Sequence, residues 1–95
     1  MAIVAVFDLP GATQAQYDET VRRLTNGGSL DKPSDWPVPG LVSHAAGPTP
    51  TGWHVTDVWE SREAFERFGE VLRPILQEVG MAGQPVIFEA HRVVT

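Results

Sequence analysis

The chain contains no cysteine among its 95 residues. Disulfide bonds, thiolate nucleophiles and thiolate-bound metals are therefore excluded, and a cytoplasmic location is favoured. Basic side chains are also few: seven Lys and Arg stand against twelve Asp and Glu, which gives a net charge of −5. A surface with this balance repels phosphate groups, so we expect no nucleic-acid partner.

Long apolar runs are absent as well. No stretch approaches the roughly 20 apolar residues of a membrane span, and no basic start leading into an apolar run indicates a secretory signal, so we expect no membrane partner. The length favours a single domain over residues 1–95. A domain of this size buries only about 60–65% of its surface, so pairing with a second copy would stabilise it.

One segment, GWHVTDVWESREAFE at residues 52–66, predicts a strand that leads directly into a helix. Ser61 can cap that helix, whose apolar side chains recur at helical spacing as far as residue 79, and Pro74 should bend it. Because side chains alternate along a strand, four of them share one strand face. These are Trp53, Val55, Asp57 and Trp59.

The whole chain predicts the element order β-α-β-β-α-β, with strands at 3–7, 41–46, from 52 onward and at 85–94, and with Thr13 and Gln16 capping the first helix. Right-handed crossovers then place both helices on one face of a four-stranded antiparallel sheet, an α+β ferredoxin-like sandwich. We expect the first and third strands to be parallel neighbours. Since the first strand is apolar on both faces, the face without helices needs a cover, and a second copy is the simplest one.

The connections set the relative positions of the strands. Residues 8–11 and 47–52 read as turns, and Gly47 opposite Gly52 would place His44 opposite Val55. The segment 29–40 has three prolines and no periodicity, so it is either an ordered flap over a site or an excursion that packs Trp36 on the core edge.

Four segments resemble a known superfamily: PGLVSHAAG, GWHVTDVWESREAFERF, EVLRPILQEVG and VIFEAHRVV. They are similar to small actinobacterial proteins of mostly unassigned function in the antibiotic-biosynthesis monooxygenase-like group of the dimeric α/β-barrel superfamily. The resemblance implies a homodimer and a pocket between sheet and helices, lined in relatives by a tryptophan at the position of Trp59. The superfamily includes cofactor-free monooxygenases, polyketide cyclases, lactone isomerases and haem-degrading enzymes. Haem-degrading relatives carry a histidine on the second helix, which this chain lacks.

Two acid–base candidates, Asp57 and His44, are predicted to share the pocket face. A poorly solvated Asp57 between two indoles would be a plausible general base or acid, whereas an Asp57 bonded to an arginine, a backbone donor or an indole would be structural. A one-residue slip of the hairpin would turn His44 toward the dimer face instead. We expect substrate contacts from an aromatic and apolar set that could also be core filling: Trp36, Trp53, Val55, Trp59 and Phe65.

Two functions from different classes fit these residues. The first is a cofactor-independent monooxygenase, or a cyclase or isomerase, that abstracts a proton from an aromatic or polyketide-like substrate. The alternative is a binding or accessory dimer without catalysis. A cavity of roughly a few hundred Å³ would favour the enzyme, and a closed core with Asp57 held by an arginine would favour the alternative. No nucleotide-binding glycine pattern is present and the three histidines lie apart, so we expect no cofactor and no metal.

Overall fold

The computed structural model describes all residues, 1–95. It contains four strands, two α-helices and one 3₁₀ turn. In chain order these are β1 (Ile3–Pro10), α1 (Gln14–Leu24), the 3₁₀ turn (Pro33–Asp35), β2 (Leu41–Thr49), β3 (Gly52–Trp59), α2 (Arg62–Val79) and β4 (Val86–Glu89).

The four strands form one sheet in the order β2-β3-β1-β4, and every neighbouring pair is antiparallel. The predicted α+β ferredoxin-like fold is therefore confirmed. The expectation that β1 and β3 run parallel is wrong. The crossover through α1 returns β2 in the direction of β1, and the β2–β3 hairpin then reverses the chain, so β3 must run against β1.

Both helices pack on one face of the sheet, where every second residue of β1 and β3 is buried. The helix starts are capped as predicted: the Thr13 side chain forms a capping box with Gln16, and the Ser61 hydroxyl accepts a hydrogen bond from the Ala64 amide. Pro74 lies inside α2, which continues to Val79. Neither α1 nor α2 combines the length and the hydrophobicity of a membrane span.

The hairpin between β2 and β3 is longer than predicted. Its turn is Pro50 and Thr51 rather than residues 47–52, because Thr49 pairs with Gly52. His44 consequently lies opposite Asp57 rather than Val55. This shift is two residues, and two residues is the period of a strand, so His44 keeps its predicted face.

β1 is also longer than predicted, because pairing with β3 continues through Leu9 and Pro10 to Gly52. A side chain at Gly52 would collide with the Leu9 carbonyl oxygen, so this close crossing requires glycine. β4 is shorter than predicted and ends at Glu89, which leaves His91 outside the sheet.

The second face of the sheet has no helix over it, and we call it the open face. Val86 and Phe88 on it are 65% and 49% exposed. The strand registers place Val86 in a row with Val6, Thr56 and Ala45, and they place Phe88 in a row with Val4, Val58 and Ser43. The open face consists of Val4, Val6, Asp8, Ser43, Ala45, Gly47, His54, Thr56, Val58, Val86 and Phe88.

Candidate functional site

Asp57 lies at the centre of β3 on the helix-covered face and is 2% exposed. Its Oδ1 lies 2.6 Å from His44 Nδ1, and its Oδ2 accepts a hydrogen bond of 3.3 Å from the indole N–H of Trp59. It forms no ion pair with arginine or lysine. The bond to the Trp59 indole is one that the structural interpretation of Asp57 named, whereas the contact with the His44 imidazole is the one that an acid–base role needs, so both interpretations of Asp57 stay predictions.

His44 connects this carboxylate to a hydroxyl on α1. Its Nε2 lies 2.7 Å from the Tyr17 hydroxyl, while the Trp36 ring meets the imidazole edge-on at 5.0 Å. Because a carboxylate only accepts hydrogen bonds, the Nδ1 proton faces Asp57. In the neutral ring, Nε2 is then the acceptor for the Tyr17 hydroxyl. The three side chains form a hydrogen-bonded chain that we call the Asp57–His44–Tyr17 relay.

Tyr17 was not predicted as a site residue. Its spacing with Val21 and Leu24 predicts a buried helix position only. Its ring packs against Trp53 at 5.1 Å, which fixes the hydroxyl over β2. It is the single tyrosine in the chain, and this rarity of a phenolic hydroxyl is the one sequence feature that could have drawn attention to it.

Tyr17 is expected to keep its proton at unusually high pH. Burial raises its pKa above the ordinary value of 10.0, and the negative charges of Asp57 and Asp18 raise it further. Tyrosinate absorbance during an alkaline titration reports this residue alone, and its midpoint should lie above 10.0. In the unfolded chain Tyr17 loses its proton at a lower pH than in the folded chain, so the free energy of unfolding should fall as the pH rises past 10.0. A midpoint at or below it would place the hydroxyl in open solvent.

The relay borders a small cavity between the sheet and the two helices. The cavity measures about 50 Å³ and is lined mainly by apolar side chains, with His44, Asp57, Tyr17 and Thr20 as its polar groups. Leu30 and Trp36 contribute to its lining from the segment before β2. This volume holds a few water molecules but is well below the roughly 300 Å³ of a small-molecule pocket.

The predicted substrate-binding residues divide into two groups. Trp36 and Val55 line this cavity. Trp53, Trp59 and Phe65 lie outside its lining. Trp59 is fully buried against Phe68 at a ring distance of 4.9 Å, and the buried indole N–H of Trp53 has no hydrogen-bond partner. The substrate-binding roles of all five stay predictions.

The other two histidines are remote from the relay. His54 lies on the opposite face of β3, where its Nδ1 is 2.7 Å from Asp8 Oδ1 and its Nε2 is 2.6 Å from the Thr56 hydroxyl. His91 follows β4 and is exposed. Only His44 therefore contributes an imidazole to the cavity.

No family model and no curated protein matches the chain. Solved structures do match it. A protein named as a candidate monooxygenase from Shewanella loihica PV-4 aligns with a TM-score of 0.61 over 97% of this chain and 96% of its own, at 16% identity. SnoaB, a cofactor-independent oxygenase from Streptomyces nogalater, aligns with a TM-score of 0.58 over 98% of this chain and 94% of its own, and a mutant of it with 0.59, both at 16% identity. The chain shares their fold. At this identity the likeness concerns the fold, and the chemistry must be argued from the residues.

Proposed function

We propose that this protein is a cytoplasmic homodimer, one domain per chain over residues 1–95, that binds a small aromatic or polyketide-like molecule and removes a proton from it. The Asp57–His44–Tyr17 relay at the wall of an apolar cavity carries this proposal. The fold shared with a cofactor-independent oxygenase supports it.

His44 is the proposed base. Substrate would replace the Tyr17 hydroxyl at Nε2, and this nitrogen would take the proton of a phenol or of an acidic C–H group. Asp57 keeps the second ring proton on Nδ1 and stabilises the imidazolium that forms. Tyr17, which holds its own proton tightly, then donates a hydrogen bond to the new oxyanion.

The reaction class follows from what the anion does next. An electron-rich anion reduces O₂ directly. The attacked CH₂ carbon loses its two hydrogens and gains one oxygen atom as a carbonyl. The second oxygen atom leaves as water together with those two hydrogens. The protein supplies a base, a dry cavity and an oxyanion donor for this step. In a cyclase or isomerase, the same anion attacks a carbonyl within the substrate instead.

Access to the relay requires a conformational change. A cavity of about 50 Å³ cannot hold a tricyclic substrate, so the segment that carries Leu30 and Trp36 would have to move outward on binding. The same small volume favours the second candidate function, a binding or accessory dimer that carries out no reaction. The absence of an arginine at Asp57 favours the enzyme, whereas the hydrogen bond from the Trp59 indole to Asp57 fits a structural carboxylate in the second candidate.

Oxygen uptake in the presence of dithranol, a dihydroxylated anthrone, tests the proposal. Chelator-treated protein should accelerate uptake and form the anthraquinone, and it should do so faster than protein lacking His44. Binding of dithranol without accelerated turnover would favour the accessory dimer. Absence of both binding and turnover would contradict this substrate class.

The open face is the proposed dimer interface, since a single chain leaves Val86 and Phe88 exposed on it and Val4, Val6 and Val58 only half-buried. Replacing Val58 by aspartate should weaken the dimer by at least about 100-fold, because burying an unpaired charge costs several kcal/mol. Val71 lies exposed on α2, and its replacement by aspartate is the matched control. Light scattering should give a dimer for the parent and the control and a monomer for Val58→Asp. A monomeric parent protein would refute the interface.

A further inference from the structure

A second cavity lies on the other side of α2, between this helix and β4, and we call it the arginine cavity. It measures about 330 Å³, which is within the range of small-molecule pockets. Phe65 and Ile87 provide apolar lining, and Arg62 and Arg73 reach it from α2. The side chains that line both cavities, and so separate them, are Phe7, Leu72 and Leu76.

The charges of the arginine cavity are unusual for this chain. Neither Arg62 nor Arg73 forms a salt bridge, although the chain has five more acidic than basic residues. Glu66 is the single acidic residue in the lining. Two unpaired guanidinium groups beside apolar side chains are suited to a carboxylate attached to an apolar body.

Gly69 gives an independent sign that the space serves a ligand. It lies inside α2, where glycine costs about 1 kcal/mol relative to alanine, and it lines the arginine cavity. Its backbone does not have a positive φ. A Cβ atom there would meet nothing closer than Arg73 Nη1 at 3.9 Å. Folding therefore does not require glycine at this position, and the missing side chain keeps the cavity open next to an arginine.

We propose that the arginine cavity binds a flat, mainly apolar small molecule that carries a carboxylate or a similar anionic group. Its apolar body packs against Phe65 and Ile87, and its anionic group pairs with Arg73 or Arg62. The cavity wall separates this site from the relay, so the inference holds whether or not His44 transfers a proton.

Calorimetric titration with naphthoate tests the site, and naphthalenemethanol is the neutral probe of the same ring size. Naphthoate should bind at least about tenfold more tightly than the alcohol, since only naphthoate forms charge-assisted hydrogen bonds. Arg73→Gln should weaken naphthoate binding about tenfold or more. Arg67→Gln on the same helix is the matched control, because Arg67 is outside the lining, and it should leave the affinity unchanged.

Gly69→Leu separates ligand binding from folding. The leucine side chain should fill the cavity and abolish naphthoate binding, while thermal stability stays equal or rises because leucine is the better helix former. His44→Ala should bind naphthoate like the parent, and a loss of affinity there would assign the signal to the first cavity and overturn the inference. The inference would also be overturned if the parent protein failed to bind naphthoate. It would likewise be overturned if Gly69→Leu kept the naphthoate affinity of the parent and instead dissociated a dimer.

Discussion

Replacing Trp59 by alanine is expected to lower the free energy of unfolding by about 3–5 kcal/mol. Trp59 is fully buried, and its ring lies 4.9 Å from that of Phe68 and 6.2 Å from that of Phe65. The substitution removes this packing and also takes away the indole donor of Asp57. Since small domains are stable by only about 5–15 kcal/mol, this variant should be near the limit of folding.

Trp59→Phe separates the two contributions. The phenyl ring retains much of the contact with Phe68, but Asp57 Oδ2 loses its donor, so we expect a smaller loss of about 1–3 kcal/mol. Urea unfolding followed by circular dichroism measures both variants. All samples need the same protein concentration, because the proposed dimer would make the free energy of unfolding depend on concentration. A loss below about 1 kcal/mol for Trp59→Ala would mean that the indole is not an integral part of the core.

Strand periodicity was sufficient to predict most of the fold. Alternation along GWHVTDVW places Asp57 and Trp59 on one buried face in the structure, as in the sequence. The caps at Thr13 and Ser61 were also predictable, because they depend on side chains within one turn of the helix start. The antiparallel direction of β1 and β3 follows from the order of the elements alone, so it could also have been predicted from the sequence.

The strand registers were less predictable. Proline and glycine near residues 47–52 indicate a turn somewhere in that range, but the pairing of Thr49 with Gly52 depends on how the hairpin meets β1. Pro10 similarly reads as the start of a turn, although it ends an extended strand paired with Gly52. These are contacts between distant parts of the chain, and they decide which side chain lies opposite His44.

The candidate site was predictable only in part. His44 and Asp57 could be placed on one face by parity, but their hydrogen bond required the observed register. Tyr17 reaches His44 through the packing of α1 on β2, which local sequence does not encode. The resemblance implied a pocket between sheet and helices, but cavity volume depends on the fit of many side chains at once, so neither the small size of the first cavity nor the arginine cavity could be anticipated.

Replacing His44 by alanine is expected to lower turnover of a productive substrate by about 10²–10⁴-fold, the usual contribution of a general base. Of the three histidines, only His44 has its imidazole in the first cavity and is held there by a buried carboxylate. His54→Ala is a close control. It also removes a histidine paired with an aspartate, but that pair lies on the open face. Turnover should survive His54→Ala and be lost in His44→Ala.

Asp57→Asn tests whether the carboxylate acts through the histidine. An asparagine can donate a hydrogen bond to Nδ1, which would move the ring proton to Nε2 and remove the acceptor from the cavity. We therefore expect kcat to fall nearly as far as in His44→Ala, and the double variant to be little slower than either single one, because the two residues act as one unit. Steady-state turnover of the four proteins at one pH measures this. Unchanged kcat in His44→Ala would exclude His44 as the base, and additive losses in the double variant would show that Asp57 acts independently of it.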